Sequence, residues 1–324
     1  MVPGGKNSGL YCFLPPPLAN SSIAALFEAR NNVFKGSLIA LATPFDAGNR
    51  VDYAALQRLI EFHVSEGSDG LVIAGTTGEA ATLEKSEHAE LVAKAVEFVN
   101  GRLPVIAGTG SNSTAQTIQL SREIGQSGID AFLMVVPYYN KPVQEGMYRH
   151  FSSIADAVDK PVMLYNVPGR TVADMLPRTV ARLARHANIF GIKEATGDME
   201  RLRQIQELVD KDFMLYSGDD FTALEFIAKG GHGVVSVCGN IAPRLSADMC
   251  RAALAGEIEE ARELDDKLQP LNKALFVESN PIPVKWALAE MGLISPGLRL
   301  PLTPYSDNYH EQMRQAMTNA GITF

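Results

Sequence analysis

Asn188-Ile189-Phe190-Gly191-Ile192-Lys193-Glu194-Ala195-Thr196 is a short apolar run that ends on a lysine. Such a run, without polar alternation, reads as a β-strand covered on both faces, the habit of parallel sheets. A lysine at its exit places an ammonium where little water is available, which is costly unless the amine is neutral or paired. A free lysine has a pKa of ~10.4, so only a few in ten thousand are neutral at pH 7. Burial that lowers that pKa makes the amine a nucleophile able to form a Schiff base with a carbonyl. The plainer reading is a lysine that snorkels to the surface or pairs with Glu194.

Working outward, seven further runs of the same kind recur from position 37: Ser37–Thr43, Gly70–Ala74, Pro104–Ala107, Ala131–Val136, Pro161–Tyr165, Phe213–Tyr216 and Gly233–Val237. Stretches of period near 3.6 lie between them, among them Tyr53–Glu66, Ser86–Val99, Thr114–Ser127, Glu145–Val158 and Asp198–Val209. Ser86 and Thr114 sit where N-caps or first-turn residues belong. Evenly spaced strand-helix units predict an α/β fold, a (β/α)8 barrel closed on itself, with a doubly wound open sheet as the rival. After Val237 the alternation stops. Pro243–Ala255, Ile258–Leu275, Pro281–Met291 and Tyr309–Ala320 read as helices, with Pro281 and Pro283 starting the one that carries Lys285 and Trp286. The domain reading is an N-terminal extension over 1–33, a barrel over 34–256 and a helical C-terminal domain over 257–324.

Composition fits an enzyme of this size: 324 residues, 46% hydrophobic, 20% charged, net charge −8. The acidic balance argues against nucleic acid and anionic membranes as partners. No stretch reaches the ~18 apolar residues of a membrane helix. Three cysteines, Cys12, Cys238 and Cys250, form neither a disulfide framework nor a metal pattern, and point to a reducing cytoplasm. Cys238 reads as a small core residue. The first thirty or so residues carry Gly4-Gly5, Pro15-Pro16-Pro17 and Asn20-Ser21-Ser22 and read as a poorly ordered extension with a short helix around Ile23 to Arg30. They lack the charged start of a secretory signal.

In such a barrel the chemistry lies at the C-terminal ends of the strands. These exits are Gly75-Thr76-Thr77-Gly78-Glu79, Pro137-Tyr138-Tyr139-Asn140, Tyr165-Asn166-Val167-Pro168-Gly169-Arg170, Lys193 and Ser217-Gly218-Asp219-Asp220. Gly191, two residues before Lys193, shares its face and leaves room for the lysine stem or a substrate. An amine, phenols, hydroxyls and a guanidinium are what an aldol-type reaction of a keto acid requires. The amine forms an imine, a phenol moves protons, threonines and freed backbone N–H groups bind one carboxylate, and an arginine forks onto another. The motif GTTGE lacks the Lys-Ser/Thr of a phosphate-binding loop. Asp219 and Asp220 read as a helix N-cap pair. His232 reads as a surface residue in a turn, and the other histidines show no ligand spacing for zinc. No metal is expected.

Taken together, GTTGE, PYYNKP, YNVPGR, IKEATG, SGDD and NPIPVKWAL resemble the dihydrodipicolinate synthases (4-hydroxy-tetrahydrodipicolinate synthases), from about Gly36 to the C-terminus. These belong to the pyruvate-dependent, Schiff-base-forming lyases that include N-acetylneuraminate lyase. The resemblance implies that Lys193 forms the imine with pyruvate and that Tyr165, Thr76 and Tyr139 form a proton relay. The tyrosine at position 139 would reach into a neighbouring subunit, which implies a homodimer unit and commonly a tetramer, as a dimer of dimers. It implies that Thr77 holds the pyruvate carboxylate, that Arg170 binds the carboxylate of L-aspartate 4-semialdehyde, and that Gly218 and Val235 line the pyruvate site. No metal or organic cofactor is implied, and the product, 4-hydroxy-tetrahydrodipicolinate, feeds lysine and diaminopimelate synthesis.

Two readings of other kinds stay beside this one: a sibling lyase acting on a sugar-derived 2-keto acid, and a non-catalytic keto-acid-binding barrel. Arg170 favours the semialdehyde, because sugar acids present hydroxyls where the semialdehyde presents a carboxylate. In lysine-inhibited relatives a cleft at the dimer interface binds lysine. Its matching positions here are Ala80, Lys85, His88, Asn112, Gln116 and Tyr138. Lys85 stands where such relatives carry a histidine and Gln116 where they carry an acid, so weak or absent lysine feedback is expected.

Overall fold

The computed structural model describes residues 34–324. The expected extension over 1–33, its short helix and Cys12 lie outside the described residues. Eight strands close into one all-parallel barrel in sequence order. They are β1 (Gly36–Ala40), β2 (Gly70–Ile73), β3 (Val105–Gly108), β4 (Ala131–Val135), β5 (Val162–Asn166), β6 (Ile189–Glu194), β7 (Met214–Ser217) and β8 (Gly233–Ser236). The rival open sheet is thereby excluded: β1 pairs with β8 as well as with β2.

The helices are α1 (Tyr53–Glu66), α2 (Lys85–Val99), α3 (Thr114–Ile124), α4 (Gln144–Ala157), the single turn α5 (Pro168–Thr171), α6 (Pro177–Leu183), α7 (Met199–Gln206), α8 (Ala223–Ala228), α9 (Pro243–Ala255), α10 (Ile258–Leu275), α11 (Ile282–Glu290) and α12 (His310–Asn319). Their ends follow from local chemistry. Asp52 caps α1 by accepting from the Ala55 N–H at 2.9 Å, and Gly67 closes it in the left-handed region with its N–H on the His63 carbonyl. One face of α1, Ala55, Leu56, Leu59, Ile60 and His63, is buried against the strands. Ser86 and Thr114 fall in first turns, and Ser113 is the residue that caps α3.

Two cores result. The outer faces of the strands and the helices share one continuous cluster, which runs from Ile39 and Leu59 to Leu271 and Val284 in α10 and α11. A smaller cluster fills the barrel, with Leu38, Val72, Leu133, Met163, Phe190 and Tyr216. Strict alternation along β6 cannot satisfy both, because Phe190 and Lys193 both face inward although three residues apart. A bulge resolves this. Val162 pairs with Ile189 and Met163 with Gly191, so Phe190 is the extra residue. One added residue reverses the side-chain phase beyond it, which sends Ile192 to the outer core and Lys193 inside.

Candidate active site

The register past the bulge pairs Lys193 with Tyr165 on β5 and with Tyr216 on β7. The ammonium of Lys193 lies 4.4 Å from the centre of the Tyr165 ring, and only 5% of the residue is exposed. Burial pulls its pKa down to about 8, with the charge of Asp220 opposing and that of Arg170 assisting. No carboxylate among the described residues hydrogen-bonds it, so the pairing with Glu194 does not form. Glu194 faces the opposite side of β6, where it accepts from the Thr196 N–H at 2.9 Å and from the Asn166 amide at 3.1 Å. Burial likewise raises the Tyr165 phenol above its usual range, while the charge of Arg170 and the Thr76 side chain hold part of that rise back.

Lys193, Tyr165, Thr76, Thr77, Arg170 and Gly218 all line one cavity of about 150 Å³ at the C-terminal mouth of the barrel. Several waters would fill such a space, which suits a small acid. The turn that brings Thr76 and Thr77 there is tight. Ala74 and Glu79 both adopt left-handed backbone, and a Cβ at Gly78 would meet the Ala74 backbone at 3.1 Å.

Several sequence expectations need correction. Gly191 does not make room for Lys193: a Cβ there would lie 2.5 Å from the Met214 carbonyl oxygen, so the glycine lets β7 approach the bulge. Gly218 is the residue that clears the lysine stem, since a Cβ there would meet Ala195 Cβ at 2.6 Å and Lys193 Cε at 2.9 Å. Asp219 and Asp220 are not a cap pair. Asp220 is buried, and its carboxylate accepts the N–H groups of Val237 at 2.8 Å and Cys238 at 3.0 Å. Asp219 accepts from the Thr222 hydroxyl instead. His232 is not a surface residue: it is partly buried, and its Nδ1 accepts the Leu215 N–H at 3.1 Å.

Other candidates fall outside the cavity. Val235 lies within the barrel core and does not line it. Tyr139 is 88% exposed and does not reach the Lys193 cavity of its own chain. Ala80, Lys85, His88 and Tyr138 line a neighbouring cavity of about 490 Å³, which shares Thr76, Tyr165 and Arg170 with the first. Asn112 and Gln116 do not line it. His88 is buried, with its Nε2 at 2.9 Å from the Gly108 carbonyl. Among the described residues no cluster of three or more histidines, cysteines or acids is arranged to hold a metal.

Sequence reasoning missed Asn280 and Phe276, which come from the C-terminal helical segment and close one wall of the cavity. The signal was available in NPIPVKWAL, a polar residue ahead of two prolines in an otherwise apolar stretch. It could not be placed, because nothing in the sequence says where the appended helices return to the barrel. No described helix is long and apolar enough to cross a membrane.

Comparison with known proteins agrees with this geometry. The chain is 56% identical over 287 residues to the 4-hydroxy-tetrahydrodipicolinate synthase of Pseudomonas aeruginosa, covering 89% of this chain and 98% of that one. The same enzyme of Ectopseudomonas mendocina gives the same identity and coverage. The crystal structure of the chloride-inhibited dihydrodipicolinate synthase of Acinetobacter baumannii, complexed with pyruvate, superposes with a TM-score of 0.88 at 47% identity, covering 89% of this chain and 99% of that one. The model of the dihydrodipicolinate synthetase family matches residues 33–320, and the chain belongs to that family.

Proposed function

We propose that this protein is a Schiff-base-forming lyase that condenses pyruvate with L-aspartate 4-semialdehyde to give 4-hydroxy-tetrahydrodipicolinate, in lysine and diaminopimelate synthesis. One observation carries the assignment of the nucleophile: the amine of Lys193 is buried, has no hydrogen-bonded carboxylate among the described residues, and is set against Tyr165 in a cavity of substrate size. With a pKa of about 8, roughly one amine in ten is neutral at pH 7, against a few in ten thousand for a free lysine.

The neutral amine adds to the carbonyl carbon of pyruvate. Loss of water, with protons passed through the Tyr165 phenol, gives a protonated imine. A methyl proton then leaves, and the resulting enamine carbon attacks the aldehyde. The amino group of the semialdehyde next displaces Lys193 from the imine carbon, which closes the ring and restores the free amine. Overall the two substrates join with loss of one water. The Thr77 turn suits the pyruvate carboxylate, and Arg170, exposed at the mouth, suits that of the semialdehyde. The carbon acid and the leaving amine supply the chemistry, so the reading needs no organic cofactor.

An exposed apolar patch supports assembly. Tyr138, Tyr139, Val143, Val172 and Leu176 stand on the loops around the mouth, each at least 40% exposed. Patches of this kind mark interfaces. A homodimer through this face, doubled to a tetramer, would bring Tyr139 of each protomer toward its partner's relay. Borohydride added with pyruvate should leave a mass increment on Lys193. An unmodified Lys193 after that treatment would remove the assignment. Faster turnover of a sugar-derived keto acid than of the semialdehyde would replace the substrate.

A further inference from the structure

Asn280 joins the C-terminal segment to both carboxylate-binding positions. Its side-chain amide donates to the Thr77 hydroxyl at 3.0 Å, and its backbone carbonyl accepts from the Arg170 guanidinium at 3.3 Å. It is 6% exposed and lies in the wall shared by the two cavities. A threonine hydroxyl has one proton to give. Where the hydroxyl accepts from an amide, that proton stays free to be donated elsewhere, and the cavity is what faces it. Reversal of the Asn280 amide would instead consume the Thr77 proton in a bond to Oδ1. Oδ1 is buried and has no partner among the described residues, so the one side-chain hydrogen bond that Asn280 makes with them is the bond to Thr77.

The backbone around Asn280 is held in place independently. Five residues on, Lys285 pairs with Glu79, the last residue of the Thr77 turn, at 2.5 Å, with both side chains 1% exposed. The other carboxylate oxygen of Glu79 accepts from the Arg299 N–H at 3.1 Å. The turn is thus fixed to the C-terminal segment through Glu79, which meets Lys285 and the Arg299 backbone, and through Thr77, which meets Asn280 at the cavity.

We propose that Asn280 is a positioning residue, whose side-chain amide keeps the Thr77 hydroxyl as a donor to the pyruvate carboxylate. This rests on the reading of Lys193 and Thr77 given above. Asn280→Ala should raise the pyruvate KM about fivefold, the value of one neutral hydrogen bond, with kcat changed less than KM. Asn280→Asp should raise it more, because an aspartate takes the Thr77 proton and sets a second negative charge near the substrate carboxylate. Both variants should still be trapped on Lys193 by borohydride at saturating pyruvate. Equal pyruvate KM in the wild type and both variants would overturn the proposal. So would a fall in kcat and Tm with unchanged KM, which is the signature of a structural role alone. Failure of the wild type to trap pyruvate would strike at the Schiff-base reading instead, so the two failures are separable.

Discussion

The barrel mouth around Lys193 and the seam around Lys285 each bury a lysine, and burial pulls both down to about 8. Their surroundings differ. Lys285 has a carboxylate at 2.5 Å, its ammonium lies 4.1 Å from the centre of the Phe45 ring, and it lines neither of the two cavities at the mouth. Glu79 pushes its pKa back up, and the pair is fixed between two elements far apart in sequence. Lys193 has an aromatic ring, the charges of Asp220 and Arg170 acting only through space, and an open volume. A perturbed lysine is therefore not by itself a nucleophile. Access to a cavity and the lack of a salt-bridge partner among the described residues separate Lys193, the proposed nucleophile, from Lys285.

Replacing each lysine by methionine tests that contrast most severely. Lys193→Met should abolish borohydride trapping and lower turnover by at least about a thousandfold. Its effect on stability has the opposite sense. The folded pKa of Lys193 lies below the ~10.4 of an unfolded chain, so the unfolded state binds more protons between the two values. The stability that this linkage supplies is present above pH ~10.4 and lost as pH falls toward about 8. Removing the amine should therefore raise Tm at pH 7, measured calorimetrically, and a lower Tm would show that the site stores no such strain. Lys285→Met should do the reverse. It leaves Glu79 buried without its ammonium and should cost about 3–5 kcal/mol in denaturant unfolding. Glu79→Gln in the same chain should recover part of the loss.

Arg170→Ala comes next in size. Loss of a charge-assisted contact should raise the semialdehyde KM about ten- to a hundredfold while leaving imine formation intact. Equal kinetics in that variant would remove the reason for preferring a substrate with a second carboxylate. The pH dependence of imine formation is smaller in span. Its rate should rise about tenfold per unit below pH 8 and level off above it, because the neutral amine is the attacking form. A plateau already reached at pH 6 would mean that the amine is neutral for another reason.

Much of this was legible in the sequence. Eight continuously apolar runs separated by helical periodicity admit few architectures, and the polar residues at the run ends fell within one mouth. Lys193, Tyr165, Thr77 and Arg170 were readable because each stands at the end of its own strand or in the turn that follows. What stayed hidden depends on three-dimensional register. The bulge at Phe190 sets which way Lys193 points, yet a single added residue leaves no mark on an already apolar run. For the same reason Gly191 reads in the sequence as the residue that clears the lysine stem, whereas only the neighbouring strand shows that Gly218 does so. Asp220 misled because a sequence does not show that its carboxylate turns inward to the backbone of Val237 and Cys238.

The smallest effect concerns the larger cavity beside the site. Lys85 is exposed at its edge, so a lysine ligand seated there would bring an ammonium toward another ammonium. Gln116 carries no charge to offset this and does not line the space. His88 is buried, with one ring nitrogen engaged by the Gly108 carbonyl, and burial lowers its pKa, so it gains no charge at neutral pH that would help hold a carboxylate. Weak attraction at the carboxylate end and repulsion at the ammonium end leave little binding energy. Initial rates should therefore change less than about twofold in millimolar lysine, since half-occupancy at about 1 mM already requires a binding free energy of about 4 kcal/mol. Inhibition at micromolar lysine would show that the cavity reshapes around the ligand, and would turn Lys85 from an obstacle into a residue that swings clear.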